Sequence, residues 1–531
     1  MNYRLILYLL GIVSLFIGAS MVIALPWALP VFGGDWETER AGFLGLLFSM
    51  LVAFGAGAVF YFQGQKIDKQ LLRKESMAVV PLSWIFAIVL GALPFWISGT
   101  ELCVGEPMTF IDAIFESTSG LTTTGATILS NVENPQMVPR TILFWRAMTH
   151  FLGGLGIMVL FVVILGQGVT GKTIMKIEKG SGSTGPQGRI RQMALALAGV
   201  YIGLIAAETI LLKLLGLSFF DSLCQSFSTL ATGGFSTFNA SIGHFAAETG
   251  LNAGLIEGVI AFFIILAGSN FILLFYCFKG EPHKLFKDVE WRVYIGIIIA
   301  ATAIVFFSGW FSGDFDAYGT SDAAIHTNET LSWPVALRQS IFQVVSIMTS
   351  TGFCTDEFEK WNNIALLVFL FLMFIGGCAG STAGGTKVIR SIVSFQTIRQ
   401  EIEHTYRPNI IRTIKVGETT IDKQVASSMV MFLFLFLASV FLTMFVIFII
   451  EPKTAWIEAG LGKNEQLIDI FSASLSLHSN VGPGLGLIGA RENYGFFTQP
   501  AKLIFSWSML LGRLELYLPL LLFSPSFWRK Q

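Results

Sequence analysis

A short amphipathic run ending in a β-branched residue and a glycine occurs four times in this chain, each time between two long apolar stretches. The copies read FIDAIFESTSGLTTTGAT at 110–127, FFDSLCQSFSTLATGGFST at 219–237, RQSIFQVVSIMTSTGFCTDEF at 338–358 and LIDIFSASLSLHSNVGPGLG at 467–486. Matching Gly125, Gly233, Gly352 and Gly482 gives spacings of 108, 119 and 130 residues. One such run is an ordinary turn between helices. Four at matched positions predict four fused helix–loop–helix units whose glycine loops converge on one axis.

Composition sets the medium. The 531 residues are 53% hydrophobic and 13% charged, with mean hydropathy +0.68, and a soluble domain carries about twice that charge fraction. A bilayer core of about 30 Å needs about 20 apolar residues per helix, so the chain reads as a polytopic membrane protein. Cys103, Cys224, Cys277, Cys354 and Cys378 form no CxxC pair, and the six histidines form no HExxH. Disulfide frameworks, structural metal sites and hydrolytic clusters are therefore not expected, nor is an enzyme. GVTGKT in the basic 167–192 loop lacks phosphate-loop spacing and follows a membrane helix. Nothing points to nucleic acid.

The predicted fold is all-α, with ten crossings and four re-entrant half-helices. Residues 1–64 form an N-terminal hairpin (crossings 5–28 and 41–63). Four pore units follow, at 65–180, 181–283, 284–415 and 416–531. Their crossings are 77–99 and 141–166, 192–216 and 254–278, 291–312 and 362–397, 424–450 and 500–524. About two-thirds of the 34 Lys and Arg fall in Arg4, 64–75, 167–192, 279–292, 386–423 and the C-terminus, while acidic residues favour the other face. Both termini are thus expected in the cytoplasm, with the loops opening outward. The acidic outer face either concentrates cations at a pore mouth or merely mirrors the topology rule. A polar outer loop at 312–333 carries Asn328-Glu329-Thr330, a chance match to a glycosylation acceptor.

Rings of backbone carbonyls can replace the hydration shell of a monovalent cation without burying fixed charge. Such backbone needs positive φ, which glycine tolerates, and irregular main chain at membrane depth survives only where protein or a wet pore covers it. The candidate filter is Thr123-Thr124-Gly125-Ala126, Ala231-Thr232-Gly233-Gly234, Ser350-Thr351-Gly352-Phe353 and Asn480-Val481-Gly482-Pro483. Half-helix C-termini pointing at the axis would favour a cation. Asp112 and Asp469 stand 13 residues before their glycines, where they are expected to cap those half-helices.

Two further features interrupt the apolar pattern. The crossing at 362–397 is too long for one straight span. Its middle, Gly376-Gly377-Cys378-Ala379-Gly380-Ser381-Thr382-Ala383-Gly384-Gly385, has five glycines at about 1 kcal/mol each in a helix. It reads equally as an unwound loop beneath the filter or as a double GxxxG packing face formed by Gly376, Gly380 and Gly384. Arg513 lies about 16 Å from either end of 500–524, too deep to snorkel. An intramembrane Arg marks a functional site by default: a barrier to cations below the filter, or the partner of a buried carboxylate such as Glu208. Lys387 is expected to anchor the cytoplasmic end of its helix.

With the hairpin and GGCAGSTAGGTKVIR at 376–390, the four loops resemble the bacterial TrkH/TrkG potassium-uptake subunits, of the superfamily that includes KtrB and the plant HKT transporters. The likeness covers nearly the whole chain. It implies potassium uptake through a gated pore in the bacterial inner membrane, with glycine in all four loops going with K⁺ and serine in the first with Na⁺ permeation. It favours the gate reading of 376–385. It also implies a homodimer and a cytosolic TrkA-type nucleotide-binding partner, with K⁺ or Rb⁺ as cargo, membrane lipid as surroundings and no bound cofactor. Val481 and Pro483 depart from the Thr-Gly pattern, as the family's fourth loop also does. The alternative is a secondary transporter coupling K⁺ entry to H⁺ or Na⁺.

Overall fold

The structure, a computed structural model, describes residues 3–64, 73–167, 186–247, 251–312, 333–408, 413–417 and 419–529. The GVTGKT segment, nearly all of the 312–333 loop with its Asn328, and part of the basic linker at 64–75 lie outside them.

After a hairpin of α1 (Tyr3–Ala24) and α2 (Trp36–Gly64), one pattern repeats four times: a long helix, a shorter half-helix, a loop and a second helix. The first copy is α3 (Arg73–Ile97), α4 (Phe110–Leu121) and α5 (Arg140–Gln167). The second is α6 (Pro186–Leu214), α7 (Phe219–Ala231) and α8 (Ala253–Ala267), continued by α9 (Phe271–Phe278). The third is α10 (Val289–Ser312), α11 (Trp333–Met348) and α12 (Asn363–Ile375), continued by α13 (Val388–Tyr406). The fourth is α14 (Lys423–Ile450), α15 (Lys463–Ser479) and α16 (Gln499–Arg513), continued by α17 (Tyr517–Leu521). Two small antiparallel hairpins, Glu101–Cys103 with Glu106–Pro107 and Ile414–Val416 with Thr419–Ile421, are additions to the all-α expectation.

Among the described residues, six helices (α1, α2, α3, α6, α10 and α14) are long and apolar enough to cross a membrane. The α8–α9 pair makes a seventh, bent by 108°. Length and apolarity thus do not yield the expected ten crossings. The shortfall lies in the second helices of units one, three and four, which line the interior and are polar, glycine-rich or interrupted.

Packing closes the four copies into a ring. Helix α5 packs on α7, α8 on α11, α12 on α15, and α16 returns to α4. The closing contact is the most polar. Lys502 Nζ lies 2.7 Å from Asp112 Oδ1 with both side chains buried, and Gln499 donates to the same carboxylate. Asp112 also completes a capping box with Thr109, which ties the start of α4 to α16. The hairpin is fastened by Glu39, whose carboxylate accepts from the backbone N–H of Arg140 (2.6 Å) and Thr141 (3.0 Å) at the N-terminus of α5. Glu451 does the same for Thr498 ahead of α16. In α1 and α2, Gly11 faces Tyr61 N and Gly57 O so closely that a Cβ there would lie 2.7 and 3.0 Å from them, the small-residue contact that lets membrane helices touch backbone to backbone.

Replacing Lys502 by Met strands the Asp112 carboxylate in the core and is expected to cost about 3–5 kcal/mol. Thermal unfolding in detergent should show a lowered midpoint, with Asp112→Asn in the same chain recovering most of the loss.

Candidate functional site: four loops on one axis

Each half-helix ends in the same way. The residue after the last turn is left-handed although it is not glycine: Thr123 (φ 52°), Thr232 (φ 54°), Ser350 (φ 56°) and Asn480 (φ 55°). Their N–H groups reach back three residues, to Gly120, Thr229, Ile347 and Leu477. The following N–H groups reach back five, Thr124 to Ser119, Gly233 to Ser228, Thr351 to Ser346 and Val481 to Ser476, at 2.8–2.9 Å. These are four Schellman endings, each holding an L-residue where the chain loses about 1–2 kcal/mol.

This geometry corrects the second loop. The glycines with positive φ one step further on are Gly125, Gly234, Gly352 and Gly482, so Gly234 replaces Gly233 as the counterpart and the first two spacings become 109 and 118. Ala231 then closes a helix, and its carbonyl accepts from Thr232 Oγ1. The signal was in the sequence: a serine stands six residues before each of these four glycines, but not before Gly233.

The glycines also show that the loops meet. A Cβ built on Gly125 would lie 2.1 Å from Gly233 O, one on Gly234 2.2 Å from Thr351 O, one on Gly352 2.1 Å from Val481 O, and one on Gly482 2.5 Å from Thr124 O. The circuit runs from each loop to the next and closes. All four glycines line one cleft, whose wall includes Arg146, Arg491 and Glu492.

Within that ring lie main-chain oxygens without partners. Among the described residues, no hydrogen bond reaches the carbonyls of Thr123, Thr124, Thr232, Gly233, Ser350, Thr351, Asn480 or Val481, and all eight residues are buried. By register they fall into two sets of four, one member of each set from each loop. Three neighbouring carbonyls in the third and fourth loops are instead committed. Phe353 O accepts from Ser346 Oγ (2.6 Å), Pro483 O from Ser476 Oγ (2.8 Å) and Gly482 O from Tyr494 Oη (2.8 Å). Phe353 and Pro483, expected as filter positions, thus have their oxygens tied to the half-helices. Ala126 follows Gly125 as a buried side chain.

Struts hold the loops from behind. Glu116 accepts from Thr127 Oγ1 (3.0 Å) and Ile128 N (3.1 Å) and pairs with Arg146 at 2.7 Å, both buried. In the next unit Gln225 Nε2 donates to Ser236 Oγ at 2.8 Å, and Arg146 Nη1 reaches Ser236 O at 3.0 Å. With the corrected register Glu116 and Gln225 are equivalent, each nine residues before its glycine. The same shift reveals Asp221, 13 residues before Gly234, beside the Ser218 cap of α7. Asp112 caps as expected. Asp469 does not, because α15 begins at Lys463; its carboxylate accepts from Trp456 Nε1 at 2.9 Å instead. Outside the membrane helices, Glu359 accepts from Ala490 N at the cleft rim, and burial pushes its carboxyl above the usual range.

On the inner side, α12 stops at Ile375 and α13 starts at Val388. Gly376, Gly380 and Gly385 take φ of 74°, 73° and 71°, which removes the double GxxxG helix face. This loop lies against the undersides of three units. Thr382 Oγ1 donates to Leu230 O (2.9 Å), Gly384 N donates to Ser350 Oγ, and a Cβ on Gly384 would meet Ser479 O at 2.2 Å. Gly377, Ala379 and Ala383 fill the turn between them, and Cys378 N and Ser381 Oγ bond to Gly268 O and Cys378 O. Lys387, expected as an anchor at the cytoplasmic end of its helix, takes φ 72° and folds back so that Nζ donates to Ala383 O.

Arg513 also differs from expectation. It ends α16, because Glu515 (φ 59°) and Leu516 (φ 54°) break the last span there. Buried at 4% exposure, its Nη1 donates to Thr382 O at 2.7 Å, and Nη2 lies 3.5 Å from Gly153 O. Neither Glu208 nor another carboxylate among the described residues pairs with it; Glu515 pairs with Arg390 at 2.6 Å.

Residues 46–530 match the family described as "TrkH: Cation transport protein". The chain is 33% identical to the Trk system potassium uptake protein TrkH of Escherichia coli (strain K12), covering 100% of both chains. It is 30% identical to TrkG of the same strain over 91% of each. The crystal structure of the potassium transporter TrkH from Vibrio parahaemolyticus superposes with a TM-score of 0.80 at 31% identity, covering 100% of both chains.

The corrected register is testable by substitution. Gly234→Ala places its Cβ on a main-chain oxygen and should abolish monovalent-cation flux in liposomes. The nearest atoms to a Cβ on Gly233 are those of the His150 ring, at 2.5 Å, so His150→Ala should rescue Gly233→Ala and leave Gly234→Ala dead.

Proposed function

The chain belongs to the TrkH family of cation transport proteins, and from that premise we propose that it carries K⁺ into the cell through the axis of the four loops. The observation that carries this reading is the two sets of buried carbonyls without partners. A buried carbonyl left unpaired costs about 1–3 kcal/mol, and eight of them in two sets of four offer a dehydrated alkali ion a full shell of oxygens. The half-helix C-termini add partial negative charge at the same place. A carbonyl cage holds the ion without a fixed anion, which lets it leave again.

In this reading Thr123, Thr124, Gly125, Thr232, Gly233, Gly234, Ser350, Thr351, Gly352, Asn480, Val481 and Gly482 make the filter, and residues 376–385 the gate beneath it. Arg513, a cation whose described contacts are two carbonyls, one of them in the gate loop, raises the barrier to K⁺ while the loop is in place. The divisions 1–64, 65–180, 181–283, 284–415 and 416–531 are the hairpin and four pore units. The named relatives support a setting in the bacterial inner membrane. A homodimer and a cytosolic TrkA-type nucleotide-binding partner are part of this proposal.

The test is K⁺, Rb⁺ and Na⁺ uptake by the purified protein in liposomes, with and without a proton gradient. A pore admits K⁺ and Rb⁺ with a reversal potential set by K⁺ alone; a reversal that moves with H⁺ or Na⁺ would replace it with a coupled carrier. Gly125→Ser should raise Na⁺ entry relative to K⁺, and an unchanged ratio would count against the filter. Arg513→Ala should raise resting K⁺ flux several-fold in a folded protein, and wild-type flux would remove its role as a barrier.

A further inference from the structure

The loop at 376–387 is held by one carboxylate outside the filter and outside its own helices. Glu290 stands in the first turn of α10 and is buried, at 7% exposure. Its Oε1 accepts from the N–H of Ala379 at 2.8 Å and from that of Ile389 at 3.0 Å. Ala379 lies within the glycine-rich stretch and Ile389 in the first turn of the helix after it, so one oxygen bridges the loop and α13.

Helix α13 has no cap of its own. Its N-cap position is Lys387, at φ 72° and without a side-chain cap bond. The first N–H groups of a helix need acceptors, and a carboxylate there gains from both hydrogen bonding and the helix dipole. Glu39 and Glu451 cap α5 and α16 in the same manner from other elements, but those helices are joined to fixed turns. Only at α13 does the capped N–H lie at the foot of the loop that touches Ser350, Leu230 and Arg513. Among the described residues no Lys or Arg forms an ion pair with Glu290, so its bonding is spent on these two main-chain donors.

We propose that Glu290 is the clamp that sets the loop in its occluding position, a positioning residue for transport. The proposal rests on reading 376–385 as the gate. When the loop swings away from the filter, Ala379 must leave the carboxylate while Ile389 can stay. The clamp therefore weakens on one side only, and α13 keeps its cap as a pivot.

Cys378, a buried free thiol beside Ala379, reports the loop's position independently of flux. The full-length protein in liposomes is treated with a membrane-permeant maleimide, and modification at Cys378 is followed by mass spectrometry, with K⁺ flux measured in parallel. Glu290→Gln keeps the shape and removes the charge; trading charge-assisted for neutral bonds should raise the Cys378 modification rate about tenfold and raise resting flux. Glu39→Gln, which loosens the analogous cap on α5, should leave Cys378 protected. If Glu290→Gln does not fold, Glu290→Asp, which keeps the charge and shortens the reach, should show the same direction. Cys378 remaining as protected as in the wild type overturns the clamp. Cys378 exposed with unchanged flux upholds the clamp and overturns the gate.

Discussion

A main-chain carbonyl buried away from water must be satisfied, and among the described residues eight at the turns of the four loops accept no hydrogen bond from the protein. Everything around them keeps them that way. The four Schellman endings use the N–H groups of the turning residues, so the loops cannot fold back and consume their own oxygens. The serine hydroxyls of Ser346 and Ser476 and the phenol of Tyr494 draw the next carbonyls aside. Left-handed Thr, Ser and Asn at the turns are sustained by close packing, since a lone loop would relax them. The ring closure by Lys502 and Asp112 belongs to the same logic: without a fixed fourth contact the circuit of glycines and oxygens would open.

The inner half of the molecule is built from interruptions. Units two, three and four each break their second helix, at Gly268–Asn270, at 376–387 and at 514–516. The first two breaks expose backbone groups that bond to each other, and the side chain just before the third reaches the second. Cys378 N bonds to Gly268 O and Phe271 N to Gly380 O, while Arg513 bonds to Thr382 O. The three breaks therefore form one contiguous layer under the axis. In the gating proposal, Glu290 acts on conduction through the loop it holds, which is part of that layer.

Much of this was readable beforehand, and the misses have physical causes. Four loops between long helices were visible because glycine after a β-branched residue is rare at membrane depth. The register slipped in the second loop because two glycines adjoin, and only the backbone tells which takes positive φ; the recurring serine would have decided it. The break after Arg513 is not legible in the sequence because Leu514, Glu515 and Leu516 carry no helix-breaking signal, yet two of them take positive φ. Asp469 read as a cap because the fourth half-helix starts at Lys463, about one turn before its amphipathic run begins at Leu467. Glu290 was invisible, since a single acid at a helix start is commonplace until the positions of its donors are known. The likeness to TrkH/TrkG named the class of molecule, whereas the sets of free oxygens required coordinates.

The central claim is that those oxygens solvate the ion. Its most direct measurement is anomalous diffraction from crystals of the full-length protein grown in Tl⁺ or Rb⁺. The account predicts density on the axis between Thr123–Thr124, Thr232–Gly233, Ser350–Thr351 and Asn480–Val481, lost when Na⁺ replaces the heavier ion. Ions bound elsewhere in the bundle, with the axis empty, would contradict it.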